Sequence, residues 1–170
     1  MSLLKYRERI HTECSLIGSP ILNVKAIKID ANRKSLKQKC GCKHLKSCDY
    51  FKRKKGNFYF IEISDFHAQL DNLKRILSDK EASKIIKNEI RLKLSETLIL
   101  HTKLKEKFDL RQNQNLKNRA LLTVCKSSIS DIVGFAHLSR ELSKHYCPEH
   151  FKEIKIISYT SLEKLSTIPK

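Results

Sequence analysis

Two acidic residues, Asp49 and Glu62, flank a segment of the chain that has the pattern of a β-hairpin. The tetrapeptide KKGN at positions 54–57 has the glycine and asparagine that suit a chain reversal. If the reversal centres on positions 55 and 56, residue 49 falls opposite residue 62, and opposed residues of an antiparallel pair project to the same face. Two carboxylates that meet at one end of a hairpin, in a chain with a formal charge of +17, indicate a divalent cation site beside bound polyphosphate.

The candidate cation is Mg²⁺ or Mn²⁺, because hard cations prefer oxygen ligands. Asp49 and Glu62 would be its protein ligands, and water and a phosphate oxygen would complete the shell. Side chains alternate between faces along a strand, so Glu62 shares a face with Phe58, Phe60 and Ser64. In the alternative interpretation, Asp49 caps the start of the strand and Glu62 pairs with a nearby lysine on the surface.

The composition predicts one ordered domain over residues 1–170, with 40% hydrophobic and 31% charged residues. The 35 lysines and arginines outnumber 18 acidic residues and are spread along the chain, which favours a polyanionic partner. In the alternative, these basic residues are simply exposed to solvent and bind no partner.

The chain has no apolar run near the roughly 18 residues that span a bilayer, and its first residues do not form a secretory signal. We therefore expect a soluble, cytoplasmic protein with no membrane partner.

Hydrophobic periodicity predicts an α/β fold with a mixed central sheet flanked by helices. The expected strands are 21–30, the two arms of the hairpin, 120–125 and 154–159, the last two joined by a parallel crossover. The expected helices are 3–17, 66–77 with Asp65 as its N-cap, a long helical insertion at about 80–110, and one that opens at 128–131. A basic loop would surround the cysteines near position 40.

This order of elements, with an acid on each of two adjacent strands, resembles the PD-(D/E)XK nuclease superfamily. The resemblance implies a restriction-endonuclease-like core in which Asp49 and Glu62 hold Mg²⁺ and a lysine helps to activate water. Ser64 stands at the position of that lysine in this chain. The resemblance therefore makes Lys74, on the following helix, the candidate replacement, and Gln69 a candidate site residue. Glu13 on the first expected helix would add a further carboxylate.

Two further groups of residues are candidate binding sites. The basic hairpin tip would contact a nucleic-acid backbone without reading bases, and His67 could touch phosphate; the tip consists of Lys52, Arg53, Lys54 and Lys55. A low-ranking alternative to magnesium is a zinc site in the segment 40–48, where thiolate and imidazole ligands stand at unusual spacing. Its ligands would be Cys40, Cys42, His44 and Cys48.

The sequence thus predicts a nucleic-acid-binding protein similar to metal-dependent phosphodiesterases, with DNA favoured over RNA. It would be a Mg²⁺-dependent nuclease or a noncatalytic descendant. In the alternative function, the chain is a binding or protein-interaction domain, and its long helix is a candidate surface for homodimerisation.

Overall fold

The computed structural model describes residues 3–12, 20–29, 35–54, 56–108, 117–124, 129–147 and 149–167. A single six-stranded sheet forms its centre, with spatial order equal to chain order. The strands are β1 (Arg7–His11), β2 (Ile21–Lys28), β3 (Tyr50–Lys54), β4 (Asn57–Ile63), β5 (Lys117–Val124) and β6 (Glu153–Ser158). Strands β1 to β4 pair antiparallel, and β4, β5 and β6 pair parallel. The predicted α/β class with a mixed sheet is confirmed.

Helices cover both faces of the sheet. They are α1 (Leu36–Lys39), α2 (Phe66–Lys74), α3 (Asp79–Lys107), α4 (Ile129–Tyr146) and α5 (Tyr159–Thr167). One hydrophobic cluster joins α2, α3 and α4 to the sheet face that carries Phe58 and Phe60. A second cluster places Tyr159 and Leu162 of α5 on the opposite face, against residues that include Val24 and Ile61. The alternation predicted for β4 is therefore confirmed, because its even and odd positions lie in different clusters.

The hairpin has the predicted register. Tyr50 pairs with Ile61 and Lys54 with Asn57, so the next position outward sets Asp49 against Glu62. Gly56 adopts φ of 67°, a left-handed conformation that glycine accepts without a Cβ penalty. Local turn chemistry thus accounts for the placement of the two acids at the same end of β3 and β4.

The two helices that follow β4 also begin where the sequence predicts. The Asp65 side chain accepts a hydrogen bond from the Ala68 amide at 3.1 Å and caps α2. Ser78 and Glu81 form a capping box at the start of α3, which is the predicted long helical insertion. The crossover from β5 through α4 to β6 is parallel, as expected.

The N-terminal prediction was wrong. Residues 3–6 form one 3₁₀ turn and Arg7–His11 form β1, where the sequence predicted a helix over 3–17. Apolar residues at helical spacing favoured the helix, but pairing with the exposed edge of β2 overrides that local preference. Glu13, the extra carboxylate of the expected helix, lies outside the described residues.

Three smaller expectations also need correction. A short helix, α1, lies within the predicted basic loop, and α5 follows β6 without having been predicted. Strand β2 buries only one face over most of its length, because Leu22, Val24 and Ala26 are buried whereas Ile21 is 56% exposed. Helix α5 packs on the face of β2 that carries these three buried side chains, whereas Ile21 points to the other face.

The core histidine of α3, His101, supplies a test of the packing. Its ring lies tilted by 39° against Phe58 with centroids 4.4 Å apart, and it meets Phe60 edge to face at 5.0 Å. Its buried Nε2 has no hydrogen-bond partner among the described residues. Burial, with a smaller contribution from the charge of Lys105, lowers the pKa of His101 to about 3. The fold therefore holds this imidazole neutral.

We expect His101→Phe to remove part of the acid sensitivity of the fold. A histidine whose folded pKa lies below its unfolded value stabilises the protein above the unfolded pKa, and that stability is lost as pH falls. The wild-type protein should lose about 3 kcal/mol relative to the variant between pH 6.5 and pH 4. Urea unfolding at several pH values measures this difference, and the exposed His44→Gln is the control. Parallel pH profiles for wild type and His101→Phe would contradict the assignment.

Candidate metal centre

Glu62 lies near the end of β4 and points under α3, where it is only 1% exposed. Its Oε1 accepts hydrogen bonds from Lys93 Nζ at 2.5 Å and from Ser64 Oγ at 2.8 Å. Its Oε2 is buried and has no hydrogen-bond partner within the part of the chain that the structure describes. A buried carboxylate oxygen without a donor is costly in a folded protein, so this atom favours a bound proton or a bound cation.

Asp49 lies opposite Glu62, just before β3. Its Oδ2 accepts from the Ile63 amide at 2.8 Å, and its carbonyl accepts from the Ile29 amide at 2.8 Å. These bonds fix Asp49 between β2 and the end of β4. Burial, and after it the negative charge of Asp49, raise the pKa of the Glu62 carboxyl. The structure thus brings together the two acids that the sequence singled out.

Opposing effects act on the pKa values of Glu62 and of Lys93. Burial and the charge of Asp49 raise the pKa of Glu62 to about 8, although the Lys93 ammonium and the Ser64 hydroxyl act in the other direction. Burial would lower the pKa of Lys93, but the charge and hydrogen bond of Glu62 outweigh it and the pKa is raised. Lys93 therefore stays cationic, and one added positive charge would favour ionisation of both acids.

The residues present fit a hard divalent cation. The donors are carboxylate oxygens, one of them orphaned, and two like charges repel each other across the hairpin. No group of three or more His, Cys, Asp and Glu side chains that could hold a metal occurs among the described residues. A cation held by two carboxylates and completed by water and phosphate is the arrangement that Mg²⁺ commonly adopts.

The space beside Glu62 is small. A cavity of about 10 Å³ lies between β4, α2 and α3, and Ser64, Gln69, Glu89 and Lys93 contribute to its lining. This volume is near the minimum for a single water molecule. An ion or a water fits there, whereas a phosphate group would need the side chains around it to move.

Of the two helical residues proposed from the sequence, one lies at this site. Gln69 lines the cavity beside Glu62. Lys74 instead forms an ion pair with Asp79 at 3.3 Å, at the junction of α2 and α3, and has no recorded contact with Glu62 among the described residues. The lysine that contacts Glu62 is Lys93, from the middle of α3.

Sequence reasoning missed Lys93, although a signal was present. Lys93 lies three residues after Ile90 and four before Thr97, and both of these are buried. It therefore interrupts the inward stripe of α3. A lysine in such a stripe is rarely buried without a partner, so its position predicts an acidic residue or carbonyl on the facing sheet.

The turn of the basic hairpin lies far from Glu62, since Gly56 is six positions away, which corresponds to about 20 Å along β4. Lys52, by contrast, is three positions from Asp49. Arg53 is exposed, whereas Lys52 is half-buried and its pKa is lowered by burial and then by neighbouring positive charges. Lys54 is also half-buried, and Lys55 lies outside the described residues. His67 is in the first turn of α2, but its side chain is not among those described.

The cysteine segment packs as part of the core. Cys48 is fully buried and its amide donates to Thr97 Oγ1 at 2.9 Å. Burial raises the pKa of its thiol, which disfavours the thiolate form that binds zinc. Cys42 Sγ donates to the Cys40 carbonyl at 3.4 Å, and His44 is exposed. The four candidate zinc ligands thus have different surroundings and lie in no metal-ligating group among the described residues.

No protein-family model, no curated protein and no solved structure matches this chain. Among the described residues, no helix combines the length and the apolar character needed to cross a bilayer.

The Glu62 carboxyl should give the fold a measurable pH dependence. Its folded pKa of about 8 lies above the ordinary value of 4.5, so its contribution is fully present below pH 4.5 and is lost as pH rises through 8. Between pH 5 and pH 8 the wild type should lose on the order of 3 kcal/mol relative to Glu62→Gln. Chemical denaturation across this range measures the difference.

Magnesium supplies the complementary measurement. A cation that binds only the folded protein stabilises it by mass action, so millimolar Mg²⁺ should raise the unfolding free energy of the wild type at pH 8. It should not do so for Glu62→Gln. If wild type and Glu62→Gln had the same pH profile, Glu62 would be excluded as the titrating group. If they responded equally to Mg²⁺, Glu62 would be excluded as a ligand.

Proposed function

We propose that this protein is a metal-dependent phosphodiesterase of the PD-(D/E)XK kind that acts on nucleic acid. The observation that carries the proposal is the pairing of Asp49 with the buried Glu62 carboxylate, beside the ammonium of Lys93. Buried charges of both signs cost free energy of folding, and strongly perturbed acids cluster at functional sites. The mixed sheet and the hairpin position of the acids agree with the restriction-endonuclease-like core that the resemblance implies.

Each residue has a role in this proposal. Glu62 and Asp49 hold the cation, with the Ile63 amide fixing the orientation of Asp49. Lys93 replaces the lysine absent from position 64 and directs its ammonium to the space beside Glu62. Ser64 donates to Glu62 Oε1, and Gln69 lines the same cavity. Bound Mg²⁺ or Mn²⁺ would polarise the phosphate and lower the pKa of a coordinated water.

Charge supports nucleic acid as the substrate class. A formal charge of +17 over 170 residues favours binding to a polyanion, and the released counterions make such binding depend steeply on salt. We propose DNA as the preferred substrate over RNA, from the resemblance, and a cytoplasmic location.

The test is a cleavage assay with the whole protein. Labelled single-stranded and duplex DNA and RNA would be incubated with Mg²⁺, with Mn²⁺ or with EDTA. Cleavage of at least one substrate that requires the metal is expected. Cleavage that persists in EDTA, or four intact substrates under every metal condition, would reject the phosphodiesterase proposal.

A second candidate function is noncatalytic nucleic-acid binding or protein interaction. The observation that favours it is the enclosure of Glu62 beneath Lys93, beside a cavity that holds no more than a water. Helix α3 also exposes three apolar side chains at seven-residue intervals, which suits homodimerisation through this helix; they are Ile85, Leu92 and Ile99. Salt-dependent binding that needs no metal and leaves every substrate intact would favour this function.

A further inference from the structure

A second, larger cavity lies on the same side of the sheet, between α2, α3 and α4. Its volume is about 740 Å³, within the range of cavities that hold organic ligands. The floor is apolar and partly aromatic, formed by Phe66, Leu70, Ile86, Phe135 and Leu138. We call this cavity the α3–α4 groove.

The rim of the α3–α4 groove is basic. Lys80, Lys84, Lys87 and Arg91 line it at steps of four, three and four, so they form a row along one side of α3. The row is about 16 Å long, from eleven residues at a helical rise of about 1.5 Å. Glu141 is the single acidic residue in the lining, and it pairs with Lys87 across the groove. The rim therefore keeps an excess of positive charge.

We propose that the α3–α4 groove binds a short stretch of single-stranded nucleic acid. The exposed lysines of the row, Lys80 and Lys84, would contact phosphates, and unpaired bases would stack on Phe135, the half-buried aromatic ring of the lining. Grooves that bind single-stranded nucleic acid combine the same two components, a positively charged rim and an aromatic surface. A duplex keeps its base faces stacked inside, so it could contact the row but not the floor.

The groove also adjoins the candidate metal centre. Phe66 and Ile86 line both the large groove and the small cavity beside Glu62. A strand in the groove would therefore pass close to Glu62, which lines the small cavity. This inference rests on the proposed function for its biological meaning, but binding in the groove requires no metal.

Binding measured by fluorescence anisotropy in EDTA tests the groove alone. The probes are a labelled 12-nucleotide single strand, as DNA and as RNA, and the matched duplexes. Wild type should bind at least one single strand about tenfold more tightly than its duplex, which corresponds to roughly one stacked base. Equal or tighter binding of the duplexes would overturn the proposal.

Paired variants locate the site. Binding weakens as salt rises, so the slope of log K against log salt is negative. Lys80→Ala/Lys84→Ala should make this slope less steep by about 1.4, because each phosphate contact on a single strand contributes about 0.7. The matched control Lys103→Ala/Lys144→Ala removes two exposed lysines outside the groove and should leave the slope near that of wild type. Phe135→Leu, which keeps an apolar side chain, should weaken binding about fivefold or more through lost stacking. Groove variants that bind like wild type would overturn the proposal.

The acid variant Asp49→Asn/Glu62→Gln separates this inference from the proposed function. Strand binding that survives in this variant, and is lost in Lys80→Ala/Lys84→Ala, supports the groove even if no cleavage is ever observed. If cleavage is metal-dependent but the groove variants bind the strand as wild type does, the phosphodiesterase proposal is supported and the groove proposal is rejected. If Phe135→Leu fails to fold, the exposed lysine pair decides the outcome.

Discussion

The double variant Asp49→Asn/Glu62→Gln should reduce metal-dependent cleavage by about 10³-fold or more. A metal that polarises phosphate contributes several kcal/mol to the transition state, and each 1.4 kcal/mol corresponds to a tenfold change in rate. The amides keep the size of the two side chains but remove the charges that attract a dication. The measurement is the single-turnover cleavage rate at saturating Mg²⁺.

The fold should tolerate this variant. Glu62 already favours its neutral form at neutral pH, since its pKa is raised to about 8, and glutamine resembles that form in shape and charge. Circular dichroism and a thermal melt at pH 7 would verify that the loss is not unfolding. The matched control is Glu106→Gln, an exposed acid near the end of α3 that pairs with Lys103. Cleavage that is retained by the double variant, or lost equally in Glu106→Gln, would contradict the assigned site.

Lys93→Met should affect both stability and cleavage. The substitution keeps an apolar stem of similar length but removes the ammonium that contacts Glu62 Oε1. The buried carboxyl then has no cation beside it, and its ionisation becomes more unfavourable. At pH 9 the variant should be less stable than wild type by about 3 kcal/mol, the cost of breaking a buried ion pair. At pH 6 the difference should be smaller, because the carboxyl can remain protonated there.

Cleavage by Lys93→Met should fall by about 10²-fold or more, the loss typical of removing one charge-stabilising donor from an active site. Lys93→Arg should recover much of the stability at pH 9, since it restores a cation. The control Lys103→Met removes an exposed lysine from the same helix and should alter neither property. If the stabilities of Lys93→Met and wild type differ equally at pH 6 and pH 9, the Glu62 pairing does not govern the effect. Unaltered cleavage would remove Lys93 from the proposed mechanism.

The two acids could be paired from sequence because the information is local. Asp49 and Glu62 are only thirteen positions apart, and a glycine-containing turn between them sets the register of the whole hairpin. The caps of α2 and α3 are likewise encoded within a few residues, by Asp65 and by the pair Ser78 and Glu81. These caps depend on hydrogen bonds between residues that are close in sequence.

The first strand shows the opposite case. Tyr6 and Ile10 have helical spacing, so the sequence near β1 favours a helix, yet Glu8 pairs with Ala26 and Arg7 with Ile27 in the sheet. A strand of five residues gains most of its stability from the neighbour that it pairs with. Its existence was therefore decided by pairing with β2 and not by the spacing of apolar residues within the segment itself.

The sequence by itself determined the α/β class, the hairpin and the convergence of Asp49 with Glu62. Only the tertiary structure decided which lysine contacts Glu62. Lys93 is 31 residues from Glu62 and reaches it only because α3 packs across β4. The tertiary structure also formed the α3–α4 groove, whose floor and rim come from three helices. Contacts within a hairpin follow from turn geometry and alternation, whereas contacts between a helix and a sheet depend on how whole elements bury their apolar faces against each other.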